Sequence, residues 1–161
     1  MVFLGPAASM SPRLAAAFMS AAALLAACSP SGTEKFKAEA LAADKAFSAA
    51  SKKDGIQSAF LGVIAQDGKL LGDTRAGADA VRDTFMQLPP TATLTWEPAF
   101  VDVSSSGDLG YTWGRYTLTL PSVTKGMPPS VRMGTYVTVW RRQPSGAWKV
   151  VLDGGTPDRA Q

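Results

Sequence analysis

Residues 110–120 read Gly-Tyr-Thr-Trp-Gly-Arg-Tyr-Thr-Leu-Thr-Leu, a run rich in aromatic and β-branched side chains. Such side chains favour extended chain because they pack well against neighbours on a pleated surface. The turn-forming sequence Ser-Ser-Ser-Gly-Asp occupies 104–108, and a loop rich in Pro and Gly follows at 121–130. The stretch therefore predicts a long β-strand with a turn or loop at each end.

The chain on both sides of this strand also alternates with a period of two. Three further strands are predicted, over Leu94–Val103, Val131–Arg142 and Trp148–Asp153. Pro98 allows a bend or bulge in the first of them, and the tail from Gly154 is predicted to be loose. Successive strands joined by short turns indicate an antiparallel sheet.

The chain before Thr91 shows helical periodicity instead. Three helices are predicted, the first over about 31–53, the second over 56–61 and the third over 77–88. A capping-box pattern from Ser31 to Glu34 begins the first helix, and Asp67-Gly68 predicts a tight hairpin turn. Helices followed by strands predict an α+β domain in which the N-terminal helices pack in a strongly curved antiparallel sheet.

The composition excludes several classes of chemistry. The chain of 161 residues has no His and one Cys. It therefore cannot form a nucleophile system that depends on imidazole, a His-ligated zinc or haem site, or an internal disulfide framework. With 16 basic and 13 acidic residues dispersed along the chain, it also lacks the concentrated positive charge that nucleic-acid binding requires.

The N-terminus has the pattern of a secretory signal. Arg13 precedes an uncharged, Ala-rich run over 14–27, which is too short to span a hydrocarbon core as a helix. The run ends in Leu25-Ala26-Ala27-Cys28, which resembles a bacterial lipobox whose Cys28 becomes lipid-modified as the first mature residue. Ordinary cleavage near Ala27 is the alternative. Ser29 resembles sorting signals for the outer membrane.

These features predict the organisation of the chain. A lipoprotein signal peptide covers 1–27, with Met10 as an alternative start, and a lipidated tether covers 28–32. A folded domain covers 33–157 and a loose tail covers 158–161. The predicted location is the bacterial cell envelope, with a lipid anchor in the outer membrane and the domain facing the periplasm.

Three segments carry a family resemblance, at 106–116, 136–142 and 146–153. Their spacings, SGDxGYxxG and WRR followed by GxWKV, resemble the nuclear transport factor 2-like superfamily over nearly all of 33–157. More narrowly, they are similar to the SnoaL-like group and the domain-of-unknown-function family numbered 4440. The resemblance implies a cone-shaped, cystatin-like α+β roll with a pocket at its open end, and it implies dimers formed through the sheet.

The resemblance also guides the choice of candidate pocket residues. Asp153 occupies a position that often faces the pocket in such domains, and an Arg and a carboxylate among aromatic rings could orient a small amphipathic ligand. The candidate pocket residues are Trp113, Arg115, Tyr136, Trp140 and Asp153. The sequence leaves open which face of each strand points inward. These aromatic residues could equally fill a core or a dimer face, and Arg115 with Asp153 could be an ordinary ion pair.

No catalytic residue is predicted. The ketosteroid isomerases of the superfamily take a Tyr from the first helix and an Asp base from just after the second. The first helix here offers Phe36 and Phe47 but no Tyr, and residues 60–65 contain no acid. No cofactor and no metal site are expected either.

Three functions remain open. We favour a lipid-anchored envelope protein that binds a small, partly apolar molecule without catalysis. The alternatives are a homodimeric interaction or assembly module with a filled pocket, and a cofactor-free enzyme similar to an isomerase or dehydratase. The predicted partners of the protein are the membrane, a small-molecule ligand and a second copy of the chain, with no nucleic acid.

Overall fold

Three helices precede most of the sheet in the computed structural model, which describes residues 32–159. They are α1 (Gly32–Asp54), α2 (Ile56–Val63) and α3 (Gly77–Phe85). Within the described range, no helix is both long and apolar enough to cross a membrane. Cys28, the predicted signal peptide and most of the tether lie outside these residues. The three helices agree with the predicted ones to within a few residues.

Five strands form one sheet. They are β1 (Ile64–Leu70), β2 (Thr93–Val103), β3 (Leu109–Leu120), β4 (Ser130–Arg142) and β5 (Trp148–Pro157), in the spatial order β1-β5-β4-β3-β2. The register shifts between Pro98 and Phe100 in β2, and again opposite Val139 and Trp140 of β4, where Val151 is an extra residue in β5. Such bulges bend a strand and increase its twist, which lets the sheet wrap around the helices. The predicted α+β fold is confirmed.

Helix α1 lies against the edge strand β2. The Ser48 hydroxyl donates to the Trp96 carbonyl over 2.8 Å and accepts from the Trp96 amide over 2.9 Å. The Ser51 hydroxyl donates to the Leu94 carbonyl over 2.7 Å. These bonds occupy backbone groups that an edge strand would otherwise leave unpaired. They also fix the helix across the concave face of the sheet.

The predicted hairpin at Asp67-Gly68 is wrong. Residues 64–70 form a single strand, and β1 pairs in parallel with β5, so the sheet is mixed rather than wholly antiparallel. A Cβ atom at Gly68 would lie 2.6 Å from the Val150 carbonyl oxygen. Gly68 is therefore required because the two strands approach closely at this position. In the sequence, the same Asp-Gly pair looks like a turn signal.

The chain after Asp153 is also more ordered than predicted. Strand β5 continues to Pro157 by pairing with β4, so a loose tail from Gly154 is wrong. A Cβ at Gly155 would lie 3.0 Å from the Tyr116 ring, so the glycine leaves room for that side chain. The Asp158 amide donates to the Met133 carbonyl over 2.9 Å. Residues 160 and 161, the end of the predicted tail, lie outside the described range.

The hydrophobic core lies between the helices and the concave face of the sheet. At its centre Phe47 makes edge-to-face contacts with Phe60 and Trp96, each with ring centroids 4.6 Å apart. Trp140 approaches Phe47 from β4 with centroids 6.1 Å apart. Aromatic rings in this geometry gain quadrupole attraction beyond their buried area. The core therefore fixes the helices against the sheet.

Candidate functional site

A cavity of about 240 Å³ lies between α2, α3 and the concave face of the sheet. Its walls are mostly apolar, with a few polar side chains among aliphatic and aromatic ones. The lining residues are Phe60, Leu70, Leu71, Thr84, Phe85, Leu94, Trp96, Tyr116, Leu118, Tyr136, Asp153, Gly154 and Gly155. An apolar recess with few polar groups is typical of a small-molecule site.

A buried carboxylate lies behind one wall of this cavity. Asp44, on α1, is fully buried and accepts a hydrogen bond from Trp96 Nε1 over 2.7 Å. It also accepts one from Tyr136 Oη over 2.7 Å. Burial raises the pKa of the Asp44 carboxyl, and the hydrogen bonds from Tyr136 and Trp96 act against that rise. We call these three residues the Asp44 cluster.

The donor groups of the Asp44 cluster point toward Asp44 and not into the cavity. Burial and the hydrogen bond to Asp44 raise the pKa of the Tyr136 phenol far above its ordinary value, so the phenol keeps its proton. Because Trp96 and Tyr136 both donate to Asp44, they present ring surfaces to the cavity rather than free donors. The cluster therefore shapes the wall of the cavity.

A second carboxylate, Asp153 on β5, lines the cavity itself. It accepts a hydrogen bond from Thr138 Oγ1 over 2.6 Å. Burial raises its pKa to about 7, the bond from Thr138 acts in the opposite direction, and the nearby Asp44 carboxylate adds to the rise. Near neutral pH, Asp153 can thus act either as an ionised acceptor or as a neutral donor.

Two of the five candidate residues from the sequence, Tyr136 and Asp153, meet at the cavity. Trp140 is fully buried in the core, where its Nε1 donates to Thr112 Oγ1 over 2.9 Å. It shares the concave face with Tyr136 but is absent from the cavity lining, because the helices cover it. Its role in the described structure is packing.

Trp113 and Arg115 lie on the opposite, convex face of the sheet. On β3 the concave side is taken by Thr112, Gly114 and Tyr116, so the odd-numbered residues point away. Trp113 is 42% exposed, and Arg115 forms an ion pair with Asp158 rather than with Asp153. The prediction that these two residues line the pocket is therefore corrected: strand alternation places them on the opposite face of the sheet.

Asp44 is the residue that the sequence interpretation missed. It lies on the same helical stripe as Ala40, Phe47 and Ser51, all of which are buried. A carboxylate on a buried stripe needs hydrogen-bond partners, because an unpaired buried charge is very costly. Its position four residues after Ala40 and three before Phe47 is the signal that could have identified it.

The cavity offers little for metal binding. Among residues 32–159, no three acidic side chains lie close enough together to hold a metal ion. Besides Tyr136, the polar side chains that line the cavity are Asp153, Tyr116 and Thr84, and the Thr84 hydroxyl donates to Asp73 Oδ2 over 3.4 Å. The arrangement can accept or donate one proton at Asp153 and can surround an apolar body with aromatic rings.

The fold is shared with solved structures of low sequence identity. A ketosteroid isomerase-like protein from Erwinia carotovora atroseptica superposes with a TM-score of 0.63 at 19% identity, covering 77% of this chain and 97% of that one. A nuclear transport factor 2-like superfamily protein from Salmonella enterica gives a TM-score of 0.61 at 13% identity, with coverages of 79% and 94%.

A third solved structure has a cystatin-like fold. This protein of unknown function from Nostoc punctiforme superposes with a TM-score of 0.55 at 17% identity, covering 78% of this chain and 92% of that one. No protein-family model matches the chain, and no curated protein does. The described residues thus have the nuclear transport factor 2-like fold, as the resemblance implied. The narrower similarity to family 4440 stays a prediction.

Proposed function

We propose that the cavity binds a small, largely apolar molecule without catalysis, with Asp153 as its polar anchor. The observation that carries this proposal is an apolar recess in which one carboxylate lies among aromatic rings. The donors of Trp96 and Tyr136 are occupied by Asp44, so they are not free to polarise a substrate. Such a site favours retention of a ligand over stabilisation of a developing negative charge.

Native mass spectrometry tests this proposal. The full-length protein is expressed in a Gram-negative host and purified in detergent, and its mass is measured before and after denaturation. We expect a stoichiometric small molecule that is lost in Leu118→Trp, because Leu118 lines the cavity and a larger side chain fills it. The matched control is Leu109→Trp on the convex face of the same strand, which leaves occupancy unchanged. Protein that is empty in every preparation would contradict the proposal.

Acid–base catalysis is the second candidate, because the pKa of Asp153 is raised to about 7 in an apolar cavity. In this case Asp153 would remove a carbon-bound proton from a ketone and return a proton to it. The test measures exchange of solvent deuterium into 4-phenyl-2-butanone by proton NMR. Exchange that the protein accelerates and that Asp153→Asn abolishes would favour catalysis. Exchange at the buffer rate would exclude it for this probe.

We propose that a lipid on Cys28 anchors the protein in the bacterial envelope, in the outer membrane with the domain facing the periplasm. The support is the lipobox sequence 25–28 followed by Ser29. Two or three acyl chains give firm anchoring, at about 0.8 kcal/mol per buried CH₂. Cys28→Ala should abolish incorporation of labelled palmitate and release the protein from membranes. A variant that still sediments with the outer membrane would contradict the anchor.

We also propose a homodimer as the assembly that covers the convex face of the sheet. Phe100, Tyr111 and Trp113 are exposed side by side there, and the rings of the first two lie 5.9 Å apart. Adjacent exposed aromatic side chains are enriched at protein interfaces. Sedimentation equilibrium should give a dimer that Trp113→Glu dissociates. A monomer at all concentrations would contradict this arrangement.

A further inference from the structure

The charged side chains at the cavity are acidic. Its lining includes the carboxylate of Asp153 but no Lys or Arg, and the carboxylate of Asp44 lies behind Trp96 and Tyr136. The two carboxylates are close enough for Asp44 to act electrostatically on Asp153. A low-dielectric recess strengthens such interactions. The cavity therefore disfavours an anionic ligand and stabilises a positive charge.

The basic side chains of β1, of the loop that follows it and of the start of β5 are engaged with other groups. Lys69 Nζ donates to the carbonyls of Thr74 and Arg75, each over 2.9 Å. The Arg75 guanidinium pairs with Asp73, and Lys149 Nζ donates to the Gly62 carbonyl over 2.8 Å. None of these three cations belongs to the cavity lining. Asp153 thus lacks a counter-ion from the part of the chain that the structure describes.

The remaining walls suit the rest of a cationic ligand. Trp96, Tyr116 and Tyr136 present aromatic surface to the cavity, together with Phe60 and Phe85. The face of an aromatic ring attracts a cation within about 6 Å of its centroid, and most strongly where water is excluded. The same rings bury apolar surface at about 25 cal/mol per Å². One end of the ligand is therefore charged and the other is apolar.

We propose that the ligand of this cavity is a small apolar amine, bound as its ammonium with the Asp153 carboxylate as counter-ion and with its apolar body against the aromatic walls. This inference rests on the proposed binding function and adds the chemical class of the ligand. Thr138 is the one side chain within residues 32–159 that donates to the Asp153 carboxylate, through Oδ2. The other oxygen, Oδ1, is left for the ammonium.

The binding should depend on pH in a defined direction. Asp153 faces Thr138 and the Tyr136 phenol from β4, the Tyr116 phenol from β3 and the Asp44 carboxylate from α1. Because the pKa of Asp153 is about 7 in the empty cavity, an ammonium must displace its proton. The affinity for an amine should therefore rise as the pH increases from 6 to 8.

Three probes that share a phenylethyl body separate the ligand class from the binding function. Isothermal titration calorimetry at pH 8 compares 2-phenylethylamine, 2-phenylethanol and 3-phenylpropanoate on the full-length protein, with the same detergent in cell and syringe. We expect the amine to bind about tenfold more tightly than the alcohol, and the carboxylate to bind most weakly. An alcohol or carboxylate that binds as tightly as the amine would overturn the inference while leaving the binding function intact. No binding by any probe would contradict both.

Two variants locate the effect. Asp153→Asn keeps an acceptor for Thr138 but removes the charge, so we expect the preference for amine over alcohol to disappear while the alcohol affinity stays within about threefold. Asp79→Asn removes the same charge from an exposed pair with Arg82 on α3 and should keep the full preference. An unchanged preference in Asp153→Asn would overturn the assignment, and a circular dichroism spectrum confirms that the variant is folded.

Discussion

The Asp44 cluster and the surroundings of Asp153 place similar carboxyl groups in different situations. Asp44 is fully buried and accepts from two aromatic donors, each over 2.7 Å. Asp153 accepts from the Thr138 hydroxyl over 2.6 Å and borders an apolar cavity. The difference teaches that burial alone does not mark a functional carboxylate. Asp44 has the hydrogen bonds that a structural acid needs, whereas Asp153 retains capacity for a partner.

The largest effect should come from the core that supports both regions. Trp140→Ala removes a fully buried ring packed on Phe47 and should lower the free energy of unfolding by about 3–5 kcal/mol. Val131→Ala, which shortens an exposed side chain on the convex side of β4 and outside the aromatic patch of the proposed dimer, is the control and should cost about 1 kcal/mol or less. Urea unfolding followed by circular dichroism measures both. Equal losses would mean that the two faces of the sheet are wrongly assigned.

Removing the Asp44 carboxylate should also strongly destabilise the protein. Asp44→Ala leaves the buried donors of Trp96 and Tyr136 without an acceptor, which should cost about 2–4 kcal/mol in unfolding free energy. Asp44→Asn should cost less, because its amide can accept from Trp96 and donate to Tyr136. The comparison uses urea unfolding at pH 7. A change below about 0.5 kcal/mol in Asp44→Ala would remove Asp44 from the structural role.

Removing the Asp153 carboxylate should raise the free energy of unfolding, whereas removing the Asp44 carboxylate lowers it. The pKa of Asp153 rises from 3.8 in the unfolded chain to about 7 in the folded one, so between these values the folded protein holds a proton that unfolding releases. This contribution to stability therefore declines as the pH rises from about 4 to 7. Asp153→Asn should be more stable than the wild type at pH 8, by on the order of 2 kcal/mol.

Chemical denaturation at pH 5 and pH 8 measures this difference. The advantage of Asp153→Asn should be largest at pH 8 and should shrink toward pH 5, since a protonated Asp resembles Asn. Asp79→Asn, which changes an exposed carboxylate, should show no such trend. A variant that is less stable than the wild type at pH 8 would place Asp153 among the structural acids, with Asp44.

The smallest effect should come from the convex face. Arg115 and Asp158 form an ion pair there, and both side chains are about half exposed. Exposed pairs contribute roughly 0–1 kcal/mol, so Arg115→Ala should change the unfolding free energy by no more than that. It should leave the affinity for 2-phenylethylamine unchanged in calorimetry. A loss of affinity would show that the convex face communicates with the cavity.

Strands β2 to β5 and most helix limits follow from the sequence because periodicity and turn residues act locally. Strand alternation places Tyr111 and Tyr116 on opposite faces, but the two residues are chemically alike, so only the packing of the helices decides which face points inward. Asp67-Gly68 and Gly154-Gly155 have the composition of turns and chain ends. The glycines among them, at 68, 154 and 155, are required because Val150, Leu71 and Tyr116 respectively come close, which is a tertiary requirement.

The candidate site was predictable in proportion to the local information it carries. Asp153 is predicted from the family resemblance and Tyr136 from its place on a strand. Arg115 and Trp113 are included with them because the sequence does not assign the inward face of each strand. The Asp44 cluster joins residues 44, 96 and 136, which are distant in sequence and brought together only by the wrapping of the sheet. A polar residue on a buried helical stripe is the single local signal of that cluster.

The most direct test is a carbon-13 NMR titration of the aspartate carboxyl groups in the full-length protein, with Asp153 assigned by its loss in Asp153→Asn. We predict that Asp153 titrates near pH 7 in the free protein. Saturating 2-phenylethylamine should lower that pKa, because a bound ammonium stabilises the ionised carboxylate. A midpoint near 4 in the free protein, with no response to the amine, would contradict an apolar ligand site built around Asp153.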